Sequence, residues 1–112
     1  MTELESLEAF DDAVAEAVGD AVVVVDFATS SCEPCKLLAP QYERASEYYP
    51  EYKFFKVVGD TTETQAIMKR EDVRSVPAFH FYKNGERRRV LQGAKLTSMD
   101  IIDEIEEMRW SS

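Results

Sequence analysis

VVVVDFATSSCEPCKLL, running from Val22 to Leu38, is the stretch whose reading decides the fold. Four consecutive valines, then Asp26 and Phe27, make an apolar β-branched run without a polar alternation. That pattern suits a strand covered on both faces, not one with a wet side. Cys32 and Cys35, the only cysteines in the chain, follow in C-x-x-C spacing. Lys36, Leu37 and Leu38 then open a helix. The cysteines are thus expected at the carboxyl end of a strand and the start of the next helix. Free amides in a first helical turn favour an anion, so Cys32 can exist partly as thiolate near neutral pH. Pro34 fits the same turn, where no amide donor is needed.

Working outward, 112 residues suffice for one core and one domain, taken to span residues 1–112. A formal charge of −9 argues against nucleic acid or an anionic membrane surface as partner. No apolar run approaches the roughly 20 residues of a membrane span. The N-terminus lacks the basic-then-apolar layout of a secretory signal, which predicts a cytoplasmic protein, or an organellar one if a presequence is cleaved. Two cysteines closing so short a loop restrict little chain entropy, so the pair makes a poor structural staple.

Met1 to Glu5 reads as a short edge strand. Ser6 caps a helix to about Val18, with Leu7, Phe10, Val14, Ala17 and Val18 on its inner stripe, and Gly19 ends it. Val22 to Phe27 is the first central strand. A helix from about Pro34 to Tyr48 follows, and Pro40 should kink it. Lys53 to Val58 is the next strand, with Gly59-Asp60 as a break. Thr61 to Lys69 suits a helix with Ala66 and Ile67 inward. Val76 to Tyr82 is a third strand, joined through the hairpin signal Asn84-Gly85 to a partner from Glu86 to Leu91. A last helix, Ser98 to Arg109, would turn Met99, Ile101, Ile102, Ile105 and Met108 inward and Asp103, Glu104, Glu106 and Glu107 outward. Strands alternating with helices and then a hairpin predict an α/β fold: a mixed sheet of four to five strands with helices on both faces.

The two cysteines admit three readings. A reversible dithiol/disulfide fits the strand-to-helix setting best. Half of a metal site would need four ligands, and the chain offers these thiols and His80, so no metal or other cofactor is expected. An inert pair on a fold kept for binding is the third. Asp26 is either a solvated acid at a strand edge or a buried carboxyl, for which the charged form is costly. Pro77 suits the first residue of a strand. His80, between Phe79 and Phe81, reads as structural. Arg87 to Arg89 read as a solvated strand and Trp110 as a packing or tail residue.

VVVVDFATSSCEPCKLLAP resembles the active-site stretch of the thioredoxin family. Lys56 ahead of Gly59-Asp60, VRSVP ending at Pro77, KNGE at Lys83 to Glu86, and QGA around Gly93 match as well, so the resemblance covers about Val22 to Met108. It implies a thioredoxin-like fold and a thiol–disulfide oxidoreductase that reduces protein disulfides, recycled by a separate reductase. Cys32 is then the nucleophile and Cys35 the resolving thiol. Asp26 becomes a buried acid that shuttles protons for Cys35, with Lys56 its partner. Pro77 follows a cis bond, the Val76 backbone pairs with an extended substrate segment, and Pro34 and Gly93 flank the same groove. A monomer with disulfide-containing protein substrates is expected.

Departures from the family pattern are Ala28 and Ser31 in place of tryptophans and Glu33 in place of glycine. They strip apolar contact area from around Cys32 and support an alternative: a thioredoxin-like binding subunit of a larger assembly, as in axonemal dyneins. Glu33 suits the positive end of a helix, yet its carboxylate is expected near the Cys32 sulfur, where it would disfavour the thiolate.

Overall fold

The computed structural model describes residues 1–110, with side chains through Arg109; the expected part of Trp110 in packing therefore lies outside the described side chains. In chain order the elements are β1 (Thr2–Glu3), α1 (Leu7–Val14), β2 (Val22–Ala28), α2 (Glu33–Tyr48), β3 (Tyr52–Val58), α3 (Thr62–Arg70), β4 (Ala78–Lys83), β5 (Glu86–Gln92) and α4 (Ser98–Trp110). The sheet runs β1-β3-β2-β4-β5. The pairs β1–β3 and β2–β3 are parallel, and β2–β4 and β4–β5 antiparallel. Strand β2 sits in the middle and all seven of its residues are buried, as its unbroken apolar run requires.

Side-chain alternation along β2 divides the core in two. Val23, Val25 and Phe27 pack with Phe10, Ala13 and Ile67 of α1 and α3. Val22 and Val24 face the other way, against Leu38, Tyr42, Ile101 and Ile105 of α2 and α4. Asp26 shares the parity of Val22 and Val24, so its side chain belongs to the α2 face.

Several sequence expectations are corrected. Helix α1 ends at Val14, four residues early, because the chain tightens there: the amides of Glu16 and Ala17 bond the carbonyls of Ala13 and Val14. This turn buries Ala17, whose carbonyl accepts the Gly85 amide at 3.1 Å, and throws Val18 out to solvent; Leu7 is exposed as well. In α3 Ala66 is exposed and Thr64 is buried in its place, closing a capping box with Thr61. In α4 Met99 is exposed, because Ile101, Ile105 and Met108 occupy the i, i+4, i+7 stripe and position 99 lies about half a turn away. The edge strand narrows to Thr2–Glu3, and β4 begins at Ala78, after Pro77. Helix α2 continues as one element through Pro40. The hairpin is as expected: Asn84 and Gly85 both take positive φ (54° and 75°), the requirement of a type I′ turn.

Candidate active site

The cysteines stand where β2 ends and α2 begins, joined as a disulfide with their Cα atoms 5.3 Å apart. Cys32 is the N-cap of α2: its backbone is extended and its sulfur accepts the Cys35 amide at 3.2 Å. A sulfur in that position receives one of the donors that a helix start leaves unpaired. The Cys32 amide in turn bonds the Thr29 carbonyl at 3.2 Å, which fixes the loop between strand and helix. Cys32 is half-buried and Cys35 is buried, so the two sulfurs differ in access.

Asp26 lies on β2 in register with Lys56 of β3. It is 3% exposed, and its Oδ1 has no hydrogen-bond partner. Burial raises its pKa to about 7, against the opposing pull of the Lys56 ammonium. The solvated-edge reading of Asp26 is thereby excluded. Behind it, the Tyr42 hydroxyl reaches the carbonyls of Val24 (3.0 Å) and Phe55 (2.7 Å) and ties α2 to the two central strands. Beside Cys35 opens a cavity of about 480 Å³, lined among others by Ala28, Ser30, Cys35, Lys36, Glu43 and Lys56.

The Val76–Pro77 bond is cis. The Pro77 carbonyl accepts the Gly93 amide at 2.9 Å, which joins two of the residues named from sequence. Gly93 has φ +115°, a conformation that side chains rarely adopt. Val76 also lines a groove of about 660 Å³ with Thr29, Gly59 and Met68, so it shares a surface with the loop that carries Cys32.

Two features escaped the sequence reading. Asp60, noted only as part of a strand break, accepts the Ser30 amide at 3.1 Å, and this bonding lowers its pKa. With the Gly59 amide on the Ala28 carbonyl (2.8 Å), it pins the 28–30 segment from the end of β3. No local signal marks a contact across 30 positions. The second feature is the Glu33 carboxylate, which pairs with Lys36 at 3.1 Å. The carboxylate expected to bear on the Cys32 sulfur therefore has a cation beside it.

His80 is structural, as expected: 2% exposed, Nδ1 3.2 Å from the Tyr82 hydroxyl, and its ring 4.7 Å from that of Phe27. Arg87 to Arg89 are exposed, though Arg87 also donates to the Glu71 carbonyl at 2.6 Å. No cluster of three or more His, Cys, Asp or Glu able to hold a metal occurs among the described residues.

The thioredoxin family profile matches residues 2–107. Thioredoxin-2 of Saccharomyces cerevisiae is 37% identical over 94 residues, 84% of this chain and 86% of that protein. Among solved structures, Plasmodium falciparum thioredoxin superposes with a TM-score of 0.85 at 33% identity, covering 96% of this chain and 98% of that one. The thioredoxin f2 in a complex with ferredoxin:thioredoxin reductase gives 0.86 at 31% identity, covering 96% and 94%.

Proposed function

This chain belongs to the thioredoxin family and is a thiol–disulfide oxidoreductase of the protein-disulfide-reductase type, and from that premise we propose how its residues share the reaction. The Cys32 thiolate attacks one sulfur of a substrate disulfide; that S–S bond breaks and the other substrate sulfur leaves as a thiolate. Cys35 then gives its proton to the Asp26 carboxylate and attacks the Cys32 sulfur. The second substrate sulfur departs, and the Cys32–Cys35 disulfide remains, two electrons having passed to the substrate. Lys56 steadies the carboxylate form of Asp26. Pro34, Val76, Pro77 and Gly93 line the approach of the substrate, whose extended backbone pairs with Val76.

The observation that carries this division is the asymmetry of the sulfurs. Cys32 receives the helix amide and is the more accessible; Cys35 is buried and shares a cavity with Lys56, the strand neighbour of Asp26. A carboxyl that titrates near pH 7 can take and return a proton at the pH of the reaction. The partners are disulfide-bearing proteins and a separate reductase, in keeping with the reductase-bound relative. Residues 1–112 act as one domain and a monomer. A reducing interior, the cytoplasm or an organelle, is the setting in which such a dithiol cycles.

The test is a trap. Cys35→Ser leaves the attacking thiol without its resolving partner, so it accumulates mixed disulfides with partner proteins in a cell lysate, and Cys32→Ser does not. Equal capture by both variants overturns the assignment.

A further inference from the structure

We propose that Met68 is a peroxide-sensitive modification site: its oxidation to the sulfoxide turns the side chain into the groove beside Val76 and weakens the capture of protein disulfides. The proposal adds regulation to the site described above, and it rests on that reading for the part Val76 plays. Of the four methionines, Met68 is the one that lines this groove of about 660 Å³.

Its seat joins both sides of the site. The thioether rests on Gly59: a Cβ there would collide with Sδ and Cε, so the glycine makes the room. The Gly59 amide holds the Ala28 carbonyl at 2.8 Å, in the segment that leads to Cys32. The Met68 carbonyl accepts the Val73 amide at 2.8 Å, where the chain sets out towards Val76 and Pro77. Met68 therefore stands between the loop that carries Cys32 and the segment that carries Val76. It is half-buried, packed on the α1–α3 side of the core with Val73 and Val76 and open to solvent along the groove.

Oxidation changes what this seat can hold. The thioether sulfur attacks one oxygen of hydrogen peroxide; the O–O bond breaks, an S–O bond forms, and the other oxygen leaves as water with both protons. The sulfur loses two electrons and the peroxide gains them. The product is a polar group where an apolar one was packed. Against Gly59 the added oxygen has no space, and the Gly59 and Val73 amides are already engaged. A sulfoxide left there without a donor is costly. The groove supplies water, so the oxidised side chain turns into it and takes up the space along Val76 where a substrate segment lies. Sulfoxide reductases return the thioether, so the change is reversible.

In the experiment, the disulfide-bonded protein is treated with hydrogen peroxide, which spares the paired sulfurs, and is mapped by peptide mass. Insulin reduction driven by dithiothreitol is then measured. Met68 is expected to gain one oxygen, as are the exposed Met1 and Met99. The KM for insulin should rise about five-fold, the equivalent of one lost hydrogen bond to the substrate segment. Reduction of 2-hydroxyethyl disulfide, too small to need the groove, should not change. Met68→Leu should show no rise against its own untreated sample, and Met99→Leu should show the same rise as wild type. Gly59→Ala, which pushes the thioether from its seat without oxidising it, should raise KM with no peroxide. The proposal is overturned by a Met68 that stays a thioether when Met99 is fully oxidised, or by an unchanged KM in the treated protein or in Gly59→Ala. An equal rise in Met68→Leu, or an equal loss with the small disulfide, overturns it too. Insulin reduction by the untreated protein, absent in Cys32→Ser, separates the two readings: where it holds and peroxide has no effect, only the switch at Met68 fails.

Discussion

Asp26 and His80 occupy adjacent strands of one sheet and are buried almost equally, at 3% and 2%. Asp26 points to the α2 face and keeps an oxygen without a partner. His80 points to the α1–α3 face and sits in a closed chain: its Nδ1 meets the Tyr82 hydroxyl, which donates to Glu71 Oε1 at 2.5 Å. Glu71 is held in turn by Arg70, which also pairs with Asp11 at 2.6 Å. One buried polar group, on the α2 face, is left unsatisfied; the other, on the opposite face, is satisfied. An unpartnered carboxyl is costly to keep, and here the cost falls on the group proposed to exchange a proton with Cys35.

The two groups titrate in opposite senses. Burial raises Asp26 from 3.8 to about 7 and lowers His80 from 6.5 to about 4. For Asp26, the unfolded chain releases its proton first as pH rises, so stability falls between pH 3.8 and about 7 and the penalty is complete above that. For His80, the unfolded chain takes up a proton first as pH falls, so stability falls from pH 6.5 down to about 4. The rise at Asp26 corresponds to roughly 4 kcal/mol and the fall at His80 to roughly 3. Across pH 4 to 7 the two slopes nearly cancel. The largest expected effect follows: Asp26→Ala raises stability at pH 8 by up to roughly 4 kcal/mol, less the cost of the small void it leaves. Its stability should then climb with pH between about 4 and 6.5, where the unmasked His80 slope acts. Mixed-disulfide resolution should slow in the same variant. Denaturant unfolding across this pH range measures the first two, and a variant no more stable than wild type at pH 8 would break the contrast.

Tyr82→Phe acts on the satisfied side. It strands the imidazole and takes one donor from Glu71, which keeps Arg70, so it should cost about 1–3 kcal/mol. Disulfide turnover should be unchanged, because the chain lies across the sheet from the sulfurs. A loss of turnover with little loss of stability would mean that His80 serves the redox face.

Much of this site was legible because its signals are local. The β-branched run around Asp26 could only be a buried strand, C-x-x-C followed by Lys36-Leu37-Leu38 could only open a helix, and Asn84-Gly85 could only turn a hairpin. Matches to a known family supplied the cis bond at Pro77, which spacing alone does not show. Helix stripes were legible where three positions agreed, as at Ile101, Ile105 and Met108, and misread at Met99, Ala66, Leu7 and Val18, where apolar character outweighed position. Contacts across long sequence separations left no trace: Asp60 on Ser30, and Tyr82 on Glu71, arise only once the sheet is assembled.

The smallest expected effect tests the contrast at the surface of the site. Glu33 lies between the sulfurs in sequence, but its carboxylate pairs with Lys36, one turn along an exposed helix face. An acid so paired presents the Cys32 sulfur with a compensated charge, as His80 is compensated in the interior. Glu33→Gly removes the acid and frees the Lys36 cation, so the two changes are small and of one sign. Alkylation of the reduced protein by iodoacetamide at pH 7, which counts the Cys32 thiolate, should speed up by less than two-fold. Lys36→Ala removes the cation and leaves the acid unpaired, so the rate should fall by up to about three-fold at low salt, the size of one charge at about 6 Å in water. Salt should reduce that loss. The double variant should return close to wild type, giving a coupling between the two residues equal to the Lys36→Ala loss less the Glu33→Gly gain. Additive single effects, or a several-fold acceleration in Glu33→Gly alone, would mean that the carboxylate acts on the sulfur directly and that the pair with Lys36 does not compensate it.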